Sequence, residues 1–243
     1  MIRLLPNTLT LANLFCGCCA VLFILNGRVP EAALFTLGSF ALDYADGLAA
    51  RALGVASPLG KELDSLADVI SFGFVPGALF YHMLVQVACP DAWELYPPNN
   101  IRPAICTTAL PAFVLSAFAA LRLGRFNLDT RQAHYFIGLT TPATTVFVLG
   151  LALASGHNRF GINAVLLHVP VLYALIALLC VLMNAELPLF GLKFSGRSWW
   201  RAPAFLALFV LLVYPLRELA LCAVVVVYVL ASVFWSGAVV EEG

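Results

Sequence analysis

Four aspartates are concentrated in one short part of a chain that otherwise carries few charges. Asp43, Asp46, Asp64 and Asp68 all lie within a stretch of 26 residues. In an α-helix, residues three or four positions apart lie on the same face. Asp43 and Asp46 therefore share one helix face, and Asp64 and Asp68 share another. A turn between these two helical segments would bring the four carboxylates together.

The local sequence predicts such a turn and a metal site beside it. Gly54 is a predicted helix stop, and Ser57 with Pro58 is typical of an N-cap followed by proline at the first helical position. Four carboxylates without a counter-charge would repel one another. Mg²⁺ and Mn²⁺ prefer carboxylate oxygens, so the cluster predicts bound divalent cations. One or two acids would instead fit interfacial ion pairs with Arg51 and Lys61.

The composition indicates the class of protein that carries these acids. The chain of 243 residues is 62% hydrophobic and 11% charged, with a mean hydropathy of +0.96. Soluble domains are about 45–50% apolar and about 25% charged. A soluble globule and a disordered chain are therefore excluded, and an integral membrane protein remains. Thirteen basic residues balance thirteen acidic ones, so no basic field for nucleic acid is expected.

The apolar blocks predict an all-α polytopic helix bundle with about eight spans, because a span needs roughly 20 apolar residues. The blocks are long and lack the period-two alternation of barrel strands. Pro215 separates the last two, which could form one bent hairpin. The predicted spans are 8–26, 30–53, 60–89, 103–127, 139–156, 162–185, 202–214 and 217–237.

Basic residues predict the orientation. With eight spans, nine of the thirteen Lys and Arg residues fall on the side that holds both termini. Basic residues are enriched in cytoplasmic loops, so the termini and the acidic segment are predicted to face the cytoplasm. The seven cysteines lie mostly within apolar runs, and no pattern suggests a disulfide framework. Cys16 and Cys19 have C-x-x-C spacing, but their apolar neighbours favour packing residues over a redox pair or a metal site.

The spacing of the acidic segment resembles the signature of the CDP-alcohol phosphotransferase family. The pattern is Asp43-x₂-Asp46-Gly47-x₂-Ala50-Arg51-x₈-Gly60-x₃-Asp64-x₃-Asp68. Within the family, the chain most resembles the bacterial membrane-integral members that use L-serine. The supporting runs are 6–10, 60–73, 122–127 and 136–143. The resemblance implies one membrane domain over 1–243, with a six-helix catalytic core in 1–195 and two additional helices in 196–243.

The resemblance also implies the reaction. A phosphatidyl group would pass from CDP-diacylglycerol to L-serine, giving phosphatidylserine and CMP, with two Mg²⁺ or Mn²⁺ ions per active site. Asp68 would be the catalytic base. The implied metal ligands are Asp43, Asp46, Asp64 and Asp68, and the implied CDP-lipid-binding residues are Asn7, Gly47, Arg51, Ser57 and Gly60. A homodimer in the inner membrane is also implied.

The acceptor site is predicted from charge. Serine carries a carboxylate, so cationic side chains on the predicted cytoplasmic side are candidates to bind it. Positive-inside anchoring is the alternative role of the two arginines among them. The candidate acceptor-binding residues are Arg122, Arg125 and Lys193, with Asn127 and Thr141 as neutral donors.

Two other functions fit part of the pattern. The same chemistry with glycerol phosphate or inositol phosphate as acceptor would require a denser arginine cluster. A cation-coupled transporter would be expected to have acids near the bilayer midplane on broken helices. Here the acids lie toward one membrane face, which disfavours the transporter.

Overall fold

The computed structural model describes residues 4–55, 57–90, 105–128, 135–190, 207, 211–212 and 214–234. These residues form a helix bundle with one small antiparallel pair of strands, which confirms the predicted all-α membrane class. The elements are α1 (Leu5–Leu25), α2 (Val29–Leu53), α3 (Pro58–Ala88), α4 (Thr107–Leu128), β1 (Tyr135–Ile137), α5 (Thr141–His157), α6 (Asn163–Leu166), α7 (Val169–Asn184), β2 (Pro188–Phe190) and α8 (Leu219–Phe234).

Helices α1, α3 and α4 are long and apolar enough to cross a membrane, and α7 and α8 are shorter apolar helices. Helix α2 has 25 residues and carries Asp43 and Asp46 in its second half. The predicted spans therefore have helical counterparts, except that the predicted seventh span, 202–214, lies mostly outside the described residues.

The turn between α2 and α3 is built as the sequence predicts. Gly54 ends α2 in the left-handed conformation, with φ 62°. This conformation favours glycine because it lacks a Cβ. Ser57 caps α3, and its Oγ accepts a hydrogen bond from the Gly60 amide at 3.0 Å. Pro58 occupies the first helical position, where its missing N–H costs nothing. The turn places Asp43 and Asp46 beside Asp64 and Asp68.

Helix α1 packs against both arms of this hairpin. Asn13, Gly17, Ala20 and Ile24 form its buried stripe, at helical spacing. The carbonyl of Asn13 accepts hydrogen bonds from Ser39 Oγ and from Ser71 Oγ, both at 3.2 Å. One carbonyl of α1 thus contacts α2 and α3 at the same level.

Helix α3 changes its winding directly after Asp68. Residues Val69–Phe74 form a π-helical segment in the middle of the helix. Phe72 is fully buried there, and its carbonyl accepts a hydrogen bond from Thr145 Oγ1 of α5 at 2.9 Å. Such segments are frequent at functional sites.

Cys89 and Cys106 form a disulfide, which the sequence did not predict. Cys89 follows the end of α3 and Cys106 precedes α4. The bond therefore lies at the opposite end of α3 from Asp64 and Asp68. The apolar surroundings of the cysteines gave no sign that these two helix ends meet. Cys222 of α8 packs against α5, with its Sγ donating to the Phe147 carbonyl at 3.2 Å.

Helix α8 lies against α5. A Cβ added to Gly150 of α5 would be 2.8 Å from Cys222 Sγ and 2.8 Å from Leu221 Cβ, so the glycine permits the close approach of the two helices. Just before α8, Glu218 Oε1 lies 3.6 Å from His157 Nδ1 at the end of α5. Farther along α8, Val225 and Tyr228 line the same cavity as Thr141, the first residue of α5. The two helices therefore run antiparallel.

The two strands join the segments that precede α5 and follow α7. Tyr135 pairs with Phe190, and Ile137 pairs with Pro188. Gly138 follows β1 with φ 72°, and an added Cβ there would be 2.4 Å from the Met183 carbonyl oxygen. This tight connection sets the position from which α5 begins.

Candidate active site

Three carboxylates converge where α2 faces α3. One oxygen from each of Asp43, Asp64 and Asp68 lies within 4.8 Å of the others. Asp64 Oδ1 and Asp68 Oδ1 are buried and have no hydrogen-bond partner among the described residues. A compact set of carboxylate oxygens, two of them unpaired, fits a hard divalent cation, which would remove the mutual repulsion of the carboxylates. The cluster could therefore bind a metal.

Asp46 lies beside this cluster and is held by α1. It is buried, and its Oδ2 accepts a hydrogen bond from Thr10 Oγ1 at 2.5 Å. Thr10 Oγ1 also contacts the Pro6 carbonyl, at 3.0 Å. The sequence did not identify Thr10 as a site residue, although it belongs to the run 6–10 that supports the family resemblance.

A cavity of about 200 Å³ opens between the start of α1 and the α2–α3 turn. Four of the five predicted CDP-lipid-binding residues line it, together with Thr10, Asp46 and Asp64. These four are Asn7, Gly47, Ser57 and Gly60. The fifth, Arg51, lies alongside, because its guanidinium nitrogens are 3.5 and 3.7 Å from the position of a Cβ added to Gly47.

Polar atoms also surround Gly60. A Cβ added there would be 3.2 Å from Asn7 Oδ1 and 3.2 Å from Ser57 Oγ. Because both glycines lack side chains, a ligand can approach the backbone between an amide, a hydroxyl and a guanidinium. These groups suit a phosphorylated polar head group.

A second, larger cavity of about 460 Å³ lies on the other side of Asp64. Three of the five predicted acceptor-binding residues line it: Arg122, Asn127 and Thr141. Arg125 is exposed on α4 and does not line this cavity. Lys193 lies outside the described residues. Asp68 lines the cavity from α3, so the predicted base and the predicted acceptor residues share one space.

Arg122 is buried deeply for a cation. It is 7% exposed, and its Nε has no hydrogen-bond partner among the described residues. The carboxylate of Asp68 attracts the guanidinium, which also lies over the Phe126 ring, 5.6 Å from the ring centroid. Thr141 Oγ1, in the same cavity, is buried and likewise has no partner among these residues. Buried polar atoms are normally paired, so unpaired ones lining a cavity indicate a place for a polar ligand.

A hydrogen-bond network joins α3 to α4 between the two cavities. Lys61 Nζ donates to the Asn127 carbonyl at 3.3 Å, and Asn127 Nδ2 donates to Ser65 Oγ at 2.7 Å. Ser65 Oγ donates in turn to the Lys61 carbonyl at 3.0 Å. Neither Lys61 nor Ser65 was identified as a site residue from the sequence, because their contacts are made with α4.

Asn13 is a further residue that the sequence did not indicate. It is fully buried on α1 and its side chain acts on the Asp68 carboxylate, although neither its Nδ2 nor its Oδ1 makes a hydrogen bond of good geometry among the described residues. An amide in the middle of an apolar span was the available signal, since polar groups at membrane depth are costly and are commonly functional.

Comparison with known proteins agrees with this geometry. The sequence profile described as CDP-alcohol phosphatidyltransferase matches residues 3–183. The chain belongs to this family. The resemblance predicted from the acidic signature is therefore confirmed, and with it a transferase family of phospholipid biosynthesis with membrane helices.

Several curated relatives of this chain carry the name CDP-diacylglycerol–serine O-phosphatidyltransferase. The one from Bacillus subtilis is 33% identical over 138 residues, covering 57% of this chain and 69% of the relative. Relatives from Mycobacterium leprae and Saccharomyces cerevisiae are 34% and 32% identical over 62% and 61% of this chain. The matches cover 47% and 53% of those two proteins, so the chain spans about half of their length.

Proposed function

We propose that this protein transfers a phosphatidyl group from CDP-diacylglycerol to L-serine, giving phosphatidylserine and CMP. The observation that carries the proposal is the larger cavity, in which a buried Arg122 with an unpaired Nε lies across from Asp68. A small acceptor with a carboxylate and a hydroxyl would satisfy both groups. The names of the curated relatives support the same acceptor.

The smaller cavity would hold the CDP head of the lipid. The Arg51 guanidinium would bind phosphate oxygens, since its planar fork of donors matches their geometry. Asn7 and Ser57 would donate or accept hydrogen bonds above Gly60, where both lie close to the free space. The diphosphate would then extend toward Asp64, which lines both cavities.

The four aspartates Asp43, Asp46, Asp64 and Asp68 would hold two divalent cations, Mg²⁺ or Mn²⁺, which when bound neutralise the diphosphate charge. Asp68 would take the proton from the serine hydroxyl, as a general base within reach of the acceptor. The serine oxygen would then form a bond to the phosphorus of the phosphatidyl group. The bond between that phosphorus and the CMP oxygen breaks, and CMP leaves.

Serine needs a fixed cation in this site. The four acids attract its ammonium group but repel its carboxylate, so an unassisted serine would present the wrong end. Arg122 would bind the carboxylate, and Asn127 and Thr141 would donate hydrogen bonds to it. Because Arg125 is exposed and lies outside the cavity lining, positive-inside anchoring suits it better. Lys193 stays a candidate from the sequence alone.

The site is proposed to face the cytoplasm, with both termini on that side of the inner membrane. Two independent observations support this orientation. In the predicted eight-span arrangement, nine of the thirteen basic residues fall on the side of the acids, and the Cys89–Cys106 disulfide lies at the opposite end of α3. Disulfides persist in oxidising compartments such as the periplasm. We also propose a homodimer, in which each chain is a single membrane domain over 1–243 with a core in 1–195 and added helices in 196–243.

Other acceptors are less consistent with the cavity. A phosphorylated alcohol would need several cations, and Arg122 is the one arginine among the described lining residues. A transporter would place its acids near the middle of the spans, whereas Asp46 and Asp64 lie near the turn between α2 and α3.

The decisive experiment is an assay of purified protein with CDP-diacylglycerol, labelled serine and either Mg²⁺ or Mn²⁺. We expect labelled phosphatidylserine and CMP in equal amounts, no product in EDTA, and recovery when either metal is restored. Glycerol phosphate and inositol phosphate serve as competing acceptors in the same assay. Preferential use of either one would overturn the serine assignment, and metal-driven flux without CMP release would overturn the transferase.

A further inference from the structure

We propose that α8 closes the acceptor cavity and that Tyr228 on this helix is a positioning residue for the Arg122 guanidinium. The inference rests on the proposed function and extends it to a helix outside the family match, which ends at residue 183. Neither the signature nor the relatives' names assign a role to this part of the chain.

One face of α8 lines the cavity. Val224, Val225 and Tyr228 all line it, at positions i, i+1 and i+4 of a helix. The opposite face carries Val226 and Leu230, which are 46% and 52% exposed. A helix with this division has one side for a ligand and another side for lipid.

The helix is also fixed in place. The Gly150 contact and the Cys222 hydrogen bond to Phe147 hold α8 directly against α5. Glu218 lies 3.6 Å from His157 just before the helix begins. The cavity wall is therefore a packed element, and its side chains have defined positions relative to α5.

Tyr228 and Arg122 act on each other inside the cavity. They are 9% and 7% exposed, they line the same cavity, and the charge of the guanidinium acts on the phenol. A guanidinium has five N–H donors, and a phenol oxygen can accept from one of them. Asp68 attracts the same guanidinium from α3. With Tyr228 accepting from one donor and Asp68 attracting the group from α3, the remaining donors of Arg122 would be left for the acceptor carboxylate.

The first test replaces Tyr228 with Phe, which keeps the ring and removes the hydroxyl. We expect the KM for serine to rise about tenfold, with no change in the KM for CDP-diacylglycerol, because only acceptor binding loses its oriented cation. Tyr214→Phe is the matched control, since Tyr214 is 92% exposed. An unchanged serine KM in Tyr228→Phe would overturn the inference.

A double-mutant cycle separates positioning from mere packing. If Tyr228 acts through Arg122, Tyr228→Phe should add little to the serine KM of Arg122→Lys. Fully additive effects, or an equal rise in the KM of both substrates, would instead show a structural role and overturn the inference.

The second test fills the cavity from α8. Val224→Phe should weaken serine binding, measured as a smaller thermal stabilisation by serine in the presence of metal and CDP. Val226→Phe makes the same change on the exposed face and should behave like the wild type. Equal behaviour of the two variants would show that α8 does not form a wall of the acceptor site.

The experiments distinguish a failure of the proposed function from a failure of this inference. If the wild type uses another alcohol and rejects serine, the serine assignment fails. The role of α8 then stands if Val224→Phe weakens binding of that alcohol and Val226→Phe does not, and it falls if both behave alike.

Discussion

Asp68 is the group on which the proposed chemistry depends most directly. Its Oδ1 is buried, has no hydrogen-bond partner among the described residues, and lies in the carboxylate cluster at the edge of the acceptor cavity. The π-helical segment begins at the next residue and sets the direction in which the helix leaves the site. A side chain in this position can reach both a metal and the acceptor hydroxyl.

We expect Asp68→Asn to reduce turnover about 10²–10⁴-fold, the usual contribution of a general base. CDP-lipid binding should largely survive, because the residues of the smaller cavity are untouched. Initial rates at saturating metal and a direct lipid-binding assay measure the two effects. Glu62→Gln, an exposed acid on the same helix, is the control. Retention of more than a tenth of the wild-type turnover would show that Asp68 is not the base.

The two arginines of α4 provide a matched pair of variants. Arg122→Ala should raise the KM for serine far more than that for CDP-diacylglycerol, since it removes a buried cation from one cavity only. Arg125→Ala, at an exposed position of the same helix, should leave both constants near their wild-type values. Ethanolamine lacks the carboxylate, so it should be a poor acceptor for the wild type and lose less in Arg122→Ala. An equal loss for both substrates would indicate misfolding of α4.

At the scale of the elements, the site depends on how closely α1 approaches α3. A Cβ added to Gly17 would be 2.4 Å from Ser71 Oγ and 3.0 Å from Ser71 Cα. The second of these atoms belongs to the backbone, so relief requires movement of the π-helical segment. Such movement would also disturb the hydrogen bond from Ser71 Oγ to the Asn13 carbonyl.

Gly17→Ala should therefore destabilise the protein by about 1–3 kcal/mol, the typical cost of overpacking. Activity should fall as well, because Asp68 directly precedes the displaced segment. Thermal unfolding in detergent and initial rates measure both effects. Gly124→Ala is the control, since nothing lies within 4 Å of a Cβ added there. If the two variants have the same melting temperature, the α1–α3 contact is not as tight as described.

The elements also show which features the sequence could reveal. The cap at Ser57, the stop at Gly54 and the pairing of aspartates on helix faces follow from residues a few positions apart, and the structure confirms the turn. The carboxylate cluster was predictable for the same reason, since one tight turn suffices to bring Asp43 beside Asp64.

Other features depend on contacts between distant segments and were not predictable. Nothing local distinguishes Arg122 from Arg125, because burial depends on the other helices that pack around α4. The bond from Thr10 to Asp46 joins two different helices, 36 residues apart. The pairing of β1 with β2 similarly joins the segment before α5 to the segment after α7.

At the scale of the whole molecule, the disulfide and the acid cluster occupy opposite ends of α3. The Cys89–Cys106 bond closes a loop with a sequence separation of 17. A cross-link over a loop of this length stabilises a protein by about 3 kcal/mol through the unfolded state. Because the bond is far from the active site, its loss should lower stability without changing catalysis.

Cys89→Ser is thus expected to lower the melting temperature while leaving the rate at low temperature unchanged. Reductant should lower the wild-type melting temperature in the same way and have no further effect on the variant. Cys18→Ser, which replaces an exposed free thiol, is the control for loss of a cysteine. A wild-type protein that is insensitive to reductant would contradict the presence of the bond.

The shared position of Asp64 has a consequence for kinetics and stereochemistry. Asp64 is the one described residue that lines both cavities, so donor and acceptor would meet at a single carboxylate without competing for space. Both substrates can then be present together, and the phosphatidyl group need not be stored on the protein. We expect intersecting lines in initial-rate plots, no exchange of labelled CMP into the lipid when serine is omitted, and inversion of configuration at phosphorus. Parallel lines or retention would require a covalent phosphatidyl-enzyme and a nucleophile at the boundary between the cavities.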